Sequence, residues 1–288
     1  MKLLPESAGI GHVELRVAGR ERSLAFYRDL LGFRVISDDG ACVRLSATGA
    51  EPARLVLRAD PQFRPRPRRT AGLYHVAILL PARRDLAAVA QRLAKAAYPL
   101  HGAADHLVSE ALYLPDPDGN GIELYADRPR ADWNWPGGQV AMSTERLDLR
   151  ALMAEAGDAG AVGATLPPET RVGHVHLAVG GLDPAEAFYH QALGLAITQQ
   201  EFPGALFLAA PGYHHHVAAN VWESRGGSPA PPDSVGLEVF SLEVPSADDL
   251  VPIAEALAAG GWPVRTVRGG LESTDGDGNR VQVLAIQP

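Results

Sequence analysis

Cysteine is almost missing. Cys42 stands alone in 288 residues, so no disulfide can form within the chain, and a reducing compartment is expected. Long hydrophobic runs are missing too: the opening MKLLPESAGI lacks the apolar core of a secretory signal, and no later segment approaches membrane-spanning length. The expectation is a cytoplasmic protein with no membrane partner. Large basic blocks are also lacking, and with a formal net charge of −8 nucleic acid is not an expected partner. The short run RPRPRR at 64–69 reads as a solvated loop. Hydrophobic residues at 46% and charged residues at 21% fit an ordinary globular protein, and the length favours two domains.

What the chain does have is repetition. The segment GHVELRV from Gly11 returns as GHVHLAV from Gly173. The same offset carries Phe26-Tyr27 onto Phe188-Tyr189 and Leu31-Gly32 onto Leu193-Gly194. A weaker pair relates GLYHVAILLP from Gly72 to GLEVFSLEVP from Gly236, and DPDGNGIEL to DGDGNRVQV. These matches divide the chain into four modules, each a strand, a helix and three further strands. The fold class is therefore α+β, with four βαβββ modules paired into two halves around cupped mixed sheets. One such module has too many open edges to stand alone. Pairing neighbours in sequence gives an N-terminal half at 8–127 and a C-terminal half at 171–286. Between them, 128–170 reads as a Trp/Pro/Gly-rich linker with one short helix near 147–155.

The chemistry concentrates at 104–125, ADHLVSEALYLPDPDGNGIELY. PDPDGNG makes a turn, and apolar residues resume at Ile122, Leu124 and Tyr125 with Glu123 set among them. Strand alternation turns Glu123 away from Ile122 and Leu124, so its carboxylate either meets solvent at an edge or is paired or metal-bound. His12 and His75 lie on the first strands of modules one and two, and Glu123 on the last strand of module two. If the paired modules share a cup, two imidazoles and a carboxylate converge as the face of an octahedral metal. Fe(II) suits such a set, with Mn, Zn or Ni as alternatives. In the second half His174, Val239 and Gln282 stand where His12, His75 and Glu123 stand, so that half is expected to lack a metal.

The sequence resembles the vicinal oxygen chelate superfamily of glyoxalases, bleomycin-resistance proteins and extradiol dioxygenases. The spacing of His106, Leu112-Tyr113, Asp116-Pro117, Gly119 and Glu123 is similar to the extradiol signature, with Ala104 departing from it. GLYHVAILLP and the later GYHHH are similar to the bacterial catechol-2,3-dioxygenase group. The resemblance implies ring cleavage of a catechol with dioxygen. It gives Tyr113 a hydrogen bond to metal-bound substrate and His106 an acid–base role nearby. It also implies a small aromatic substrate, leaving homo-oligomerisation open. Two alternatives remain: a glyoxalase-like isomerase or lyase, and a metal-free bleomycin-resistance-type binding protein. Extradiol enzymes often carry another acid–base histidine on the last strand of the preceding module, and PARLVLRAD at 52–60 has none. The cluster His214, His215 and His216, near His174 and His176, reads as a hydrogen-bonded structural group, with a second site as the alternative.

Overall fold

Strand β1 (Gly9–Val17) alternates, burying Val13, Leu15 and Val17 on one face. Helix α1 (Arg20–Leu24) follows and ends in a π-helical turn over Ala25–Leu30, where the Leu31 amide donates to the Phe26 carbonyl at 2.9 Å. Gly32, at φ 96°, then stops the helix. Strands β2 (Arg34–Asp38), β3 (Cys42–Ser46) and β4 (Leu55–Ala59) complete the first module. In the second, β5 (Gly72–Leu80) precedes α2 (Arg83–Lys95), whose Leu86, Val89, Ala90 and Leu93 recur at helical spacing and are buried. Then come β6 (Gly102–Asp105), β7 (Ser109–Pro115) and β8 (Gly121–Asp127). The connecting segment contributes β9 (Glu145–Arg146) and α3 (Leu149–Ala154), the latter capped by Asp148. The third module holds β10 (Arg171–Ala178), α4 (Leu182–Glu186), β11 (Ala196–Gln199), β12 (Ala205–Ala209) and β13 (Val217–Asn220). The fourth holds β14 (Gly236–Val244), α5 (Leu250–Ala259), β15 (Arg265–Val267), β16 (Gly270–Thr274) and β17 (Arg280–Ala285). This computed structural model describes residues 2–156 and 165–286; the part of the linker at 157–164 lies outside them.

The four modules form as expected, but they pair differently from the division at 8–127 and 171–286. One sheet has the order β15-β16-β17-β14-β1-β4-β3-β2 and joins modules one and four. The other has the order β11-β12-β13-β10-β5-β8-β7-β6-β9 and joins modules two and three. The seams are antiparallel pairs of first strands, β1 with β14 and β5 with β10. All four first strands present similar alternating edges, so the repeat defines the modules without deciding which edges meet. The segment at 128–170 is therefore not a spacer between halves: β9 extends the second sheet beside β6, and α3 packs on α2.

Two buried aspartates stitch the modules together. The Asp116 carboxylate accepts from the Asp118 and Asn120 amides and from the Tyr27 hydroxyl at 2.9 Å. Asp275 repeats the arrangement, with Tyr189 at 2.7 Å. Among the described residues no helix is long and apolar enough to cross a membrane.

Candidate active site

In β8, Ile122 and Leu124 enter the core, so Glu123 turns to the concave face of the second sheet. Gly121 is needed beside it, because a Cβ there would meet the Tyr74 carbonyl at 2.1 Å. Strand β5 runs parallel to β8 and sends Val76, Ile78 and Leu80 to the core, leaving His75 and Ala77 on the concave face. Strand β10 lies on the other side of β5, with His176 opposite His75 and His174 opposite Ala77. Gly173 admits the Tyr125 ring next to His174; a Cβ there would overlap its hydroxyl.

Three side chains converge on this face. His75 Nε2 lies 2.9 Å and His174 Nε2 3.1 Å from Glu123 Oε2, and one ligand atom from each falls within 4.8 Å of the others. His75 and Glu123 thus meet as the sequence implied, but the third member is His174. His12 is not part of the group. It sits on β1 in the other sheet, where its Nδ1 meets Ser241 Oγ at 2.8 Å and its Nε2 lies 3.6 Å from Glu14. His174, placed by the sequence in a half expected to lack a metal, instead stands in this group. The cause is the seam: module two shares its cup with module three, so the third member of the group comes from β10 and not from β1.

The triad fits a divalent cation. All three residues are buried. Burial opposes ionisation of Glu123, yet the His174 and His75 imidazoles hold its carboxyl well below the usual carboxylate range. Burial pushes His174 down to about 4, so it is neutral near pH 7. The group thus sets a buried carboxylate beside two imidazoles with no lysine or arginine paired to it, an arrangement that suits a bound cation. His75 Nε2, though close to Glu123, makes no hydrogen bond and is left as a buried, unused donor atom. Two imidazoles and one carboxylate are the ligand set of open, oxygen-activating iron sites.

Two further imidazoles flank the triad. His106 Nδ1 meets the Ser143 carbonyl at 2.7 Å, which requires Nδ1 to be the protonated nitrogen. Its Nε2 then accepts from the Tyr113 hydroxyl at 2.6 Å, and Tyr113 faces Glu123 across the β7–β8 ladder. His106 and Tyr113 are thus brought together beside the triad. On the other flank is His215, whose ring centroid lies 4.1 Å from that of His174 with the planes tilted by 50°. His214 Nε2 donates to Asp127 Oδ1 at 2.9 Å, so its Nδ1 accepts from His215 Nδ1 at 2.8 Å. This fixes the His215 tautomer with a bare Nε2. Burial, with His174 and its neighbours, keeps His215 well below the usual imidazole value and hence neutral. His215 thus lines the cavity from just before β13, the last strand of module three, whereas PARLVLRAD in module one offers no histidine. Sequence reasoning had left it as a structural cluster, although its position before the last strand of module three was the available signal. His174, His215, His106 and Tyr113 all open on one cavity of about 630 Å³.

Comparison with known proteins agrees with this architecture. Residues 9–124 and 171–283 match the model of the Glyoxalase/Bleomycin resistance protein/Dioxygenase superfamily. The chain belongs to that superfamily. It is 38% identical over 279 residues to a catechol-2,3-dioxygenase of Bacillus subtilis (strain 168), covering 96% of each chain. A solved Bacillus subtilis protein provisionally named a dioxygenase is similar with a TM-score of 0.66 at 13% identity, covering 100% of this chain and 87% of the other. Glyoxalase I from Zea mays follows at 0.56 and 16% identity, covering 97% and 92%. At those identities the solved structures speak to the fold alone.

Proposed function

We propose that this protein is an extradiol-type dioxygenase that cleaves the ring of a catechol, with Fe(II) held by His75, His174 and Glu123. The observation that carries the reading is the buried triad of three ligands at the floor of a cavity, flanked by two imidazoles with fixed tautomers. The similarity to a catechol-2,3-dioxygenase over nearly the whole chain supports the same reaction class. When bound, Fe(II) would bring a catechol and dioxygen together and pass electrons between them.

The protein's own groups do the rest. His215 presents a bare Nε2 to the cavity and takes a phenolic proton from the entering catechol. His214 and Asp127 hold that tautomer in place and act as positioning residues. Tyr113, whose hydroxyl is kept protonated by burial and by Glu123, gives its one hydrogen to His106 Nε2, so its oxygen accepts a hydrogen bond from the hydroxyl that the substrate retains; His106 orients it. Ala77, Leu79, Ala111 and Tyr125 form a buried apolar cluster against which Tyr113 packs.

The test is anaerobic reconstitution with Fe(II), followed by oxygen uptake with catechol. The expected result is one O2 consumed per catechol, with both labelled oxygen atoms from ¹⁸O2 in the ring-opened product. Uptake that remains at background with every catechol tried, in protein that has bound Fe(II), would contradict the reading.

A further inference from the structure

The basic run at 64–69 does not simply face solvent. Arg66 turns inward, half-buried, and its guanidinium lines the same cavity as the triad. Its Nη1 donates to the Leu73 carbonyl, which fixes the head one residue from Tyr74 on β5. Among the described residues no carboxylate forms an ion pair with it, and no other hydrogen bond uses its remaining donors. Burial disfavours the charged form of Arg66, and Glu223, across the cavity mouth, only partly offsets this. A guanidinium drawn from water with one carbonyl as its hydrogen-bond partner is costly, and a planar donor fork matches a carboxylate.

The way from this arginine to the floor is aromatic. Tyr74 and Trp222 approach at 5.4 Å between ring centroids, Phe202 and Trp222 at 6.3 Å, and Tyr74 also lies 5.4 Å from the His75 ring. Tyr74 and Trp222 are exposed at the mouth, at 38% and 44%. The volume of about 630 Å³ lies in the range of pockets that enclose ligands larger than a single ring.

We propose that the substrate is a catechol bearing a carboxylate on a short side chain, which pairs with Arg66 while the chain lies along the contacting rings of Tyr74 and Trp222. This rests on the ring-cleavage reading above and adds the substrate class and the residue that selects it. Phe202 and Trp222 close over the apolar part of the side chain, and Arg66 is the cavity's arginine for its anionic end.

The test compares two probes on the Fe(II)-loaded protein without oxygen: 3,4-dihydroxyphenylacetate and its uncharged analogue 4-ethylcatechol, titrated calorimetrically. The wild type is expected to bind the acid roughly 10- to 100-fold more tightly, the range of one hydrogen-bonded charge pair. Arg66→Gln should bring the ratio of affinities close to one, and Arg66→Lys should restore part of it. Equal binding of the two probes by the wild type, or a ratio unchanged in Arg66→Gln, would overturn the inference while leaving ring cleavage intact. Binding of neither probe would overturn both.

Discussion

The two sheets share one strand pattern and differ in what fills their concave faces. In the sheet of β5 and β10 the equivalent positions carry His75, Glu123 and His174. In the sheet of β1 and β14 they carry Val239, Gln282 and His12. Glu272 faces Gln282 across its ladder as Tyr113 faces Glu123, and accepts from Gln282 Nε2 at 2.9 Å. Around it Arg280 bridges Glu272 and Glu238, Arg16 meets Glu238 at 3.1 Å, and Arg58 meets Glu14 at 2.7 Å. That cup neutralises its carboxylates with arginines. The other gives Glu123 only the imidazoles of His75 and His174, with no arginine beside it, and so suits a cation. The lesson is that a scaffold position becomes a metal site when no permanent cation is supplied to its carboxylate.

This comparison can be broken by substitution. The largest effect is expected from Glu123→Ala, which removes the only charged ligand: metal content measured by mass spectrometry should fall to near zero and turnover with it. His215→Asn should keep the metal but slow turnover by roughly 10²–10⁴-fold, the usual range for a lost acid–base group. Asp127→Asn should give a smaller loss with the same metal content. In the other sheet Arg280→Met should lower stability, read by urea unfolding, by about 1–3 kcal/mol, because Glu272 loses one of its cations; partial exposure of Arg280 keeps the cost below that of a fully buried pair. Metal content should not change.

The smallest effect concerns acid. His216 is buried beside the site, its Nδ1 accepting from the Ala210 amide, and burial with the neighbouring histidines lowers it to about 3. The unfolded chain takes up this proton near pH 6.5, whereas the folded one does not until about 3. Stability is thus full above pH 6.5 and falls as pH drops toward 3. His216→Gln should flatten that slope in urea titrations at successive pH values.

The modules, their elements and two of the three residues of the triad could be read from the sequence, because alternation and the internal repeat are local signals. Gly11-His12 and Gly173-His174 look alike in sequence, and so do the strands that carry them. What separates them is the seam between first strands, a long-range choice that no local pattern encodes. His215 was hidden for the same reason, since its role depends on module three standing beside module two. Arg66 looked like part of a solvated run because its turn inward depends on the Leu73 carbonyl.

The central claim is that the metal lies in the cup shared by modules two and three. Parallel metal analysis of Fe(II)-reconstituted His174→Ala and His12→Ala tests it most directly, with circular dichroism to check folding. The account predicts loss of most iron from His174→Ala and wild-type content in His12→Ala. The reverse result, in folded protein, would contradict it.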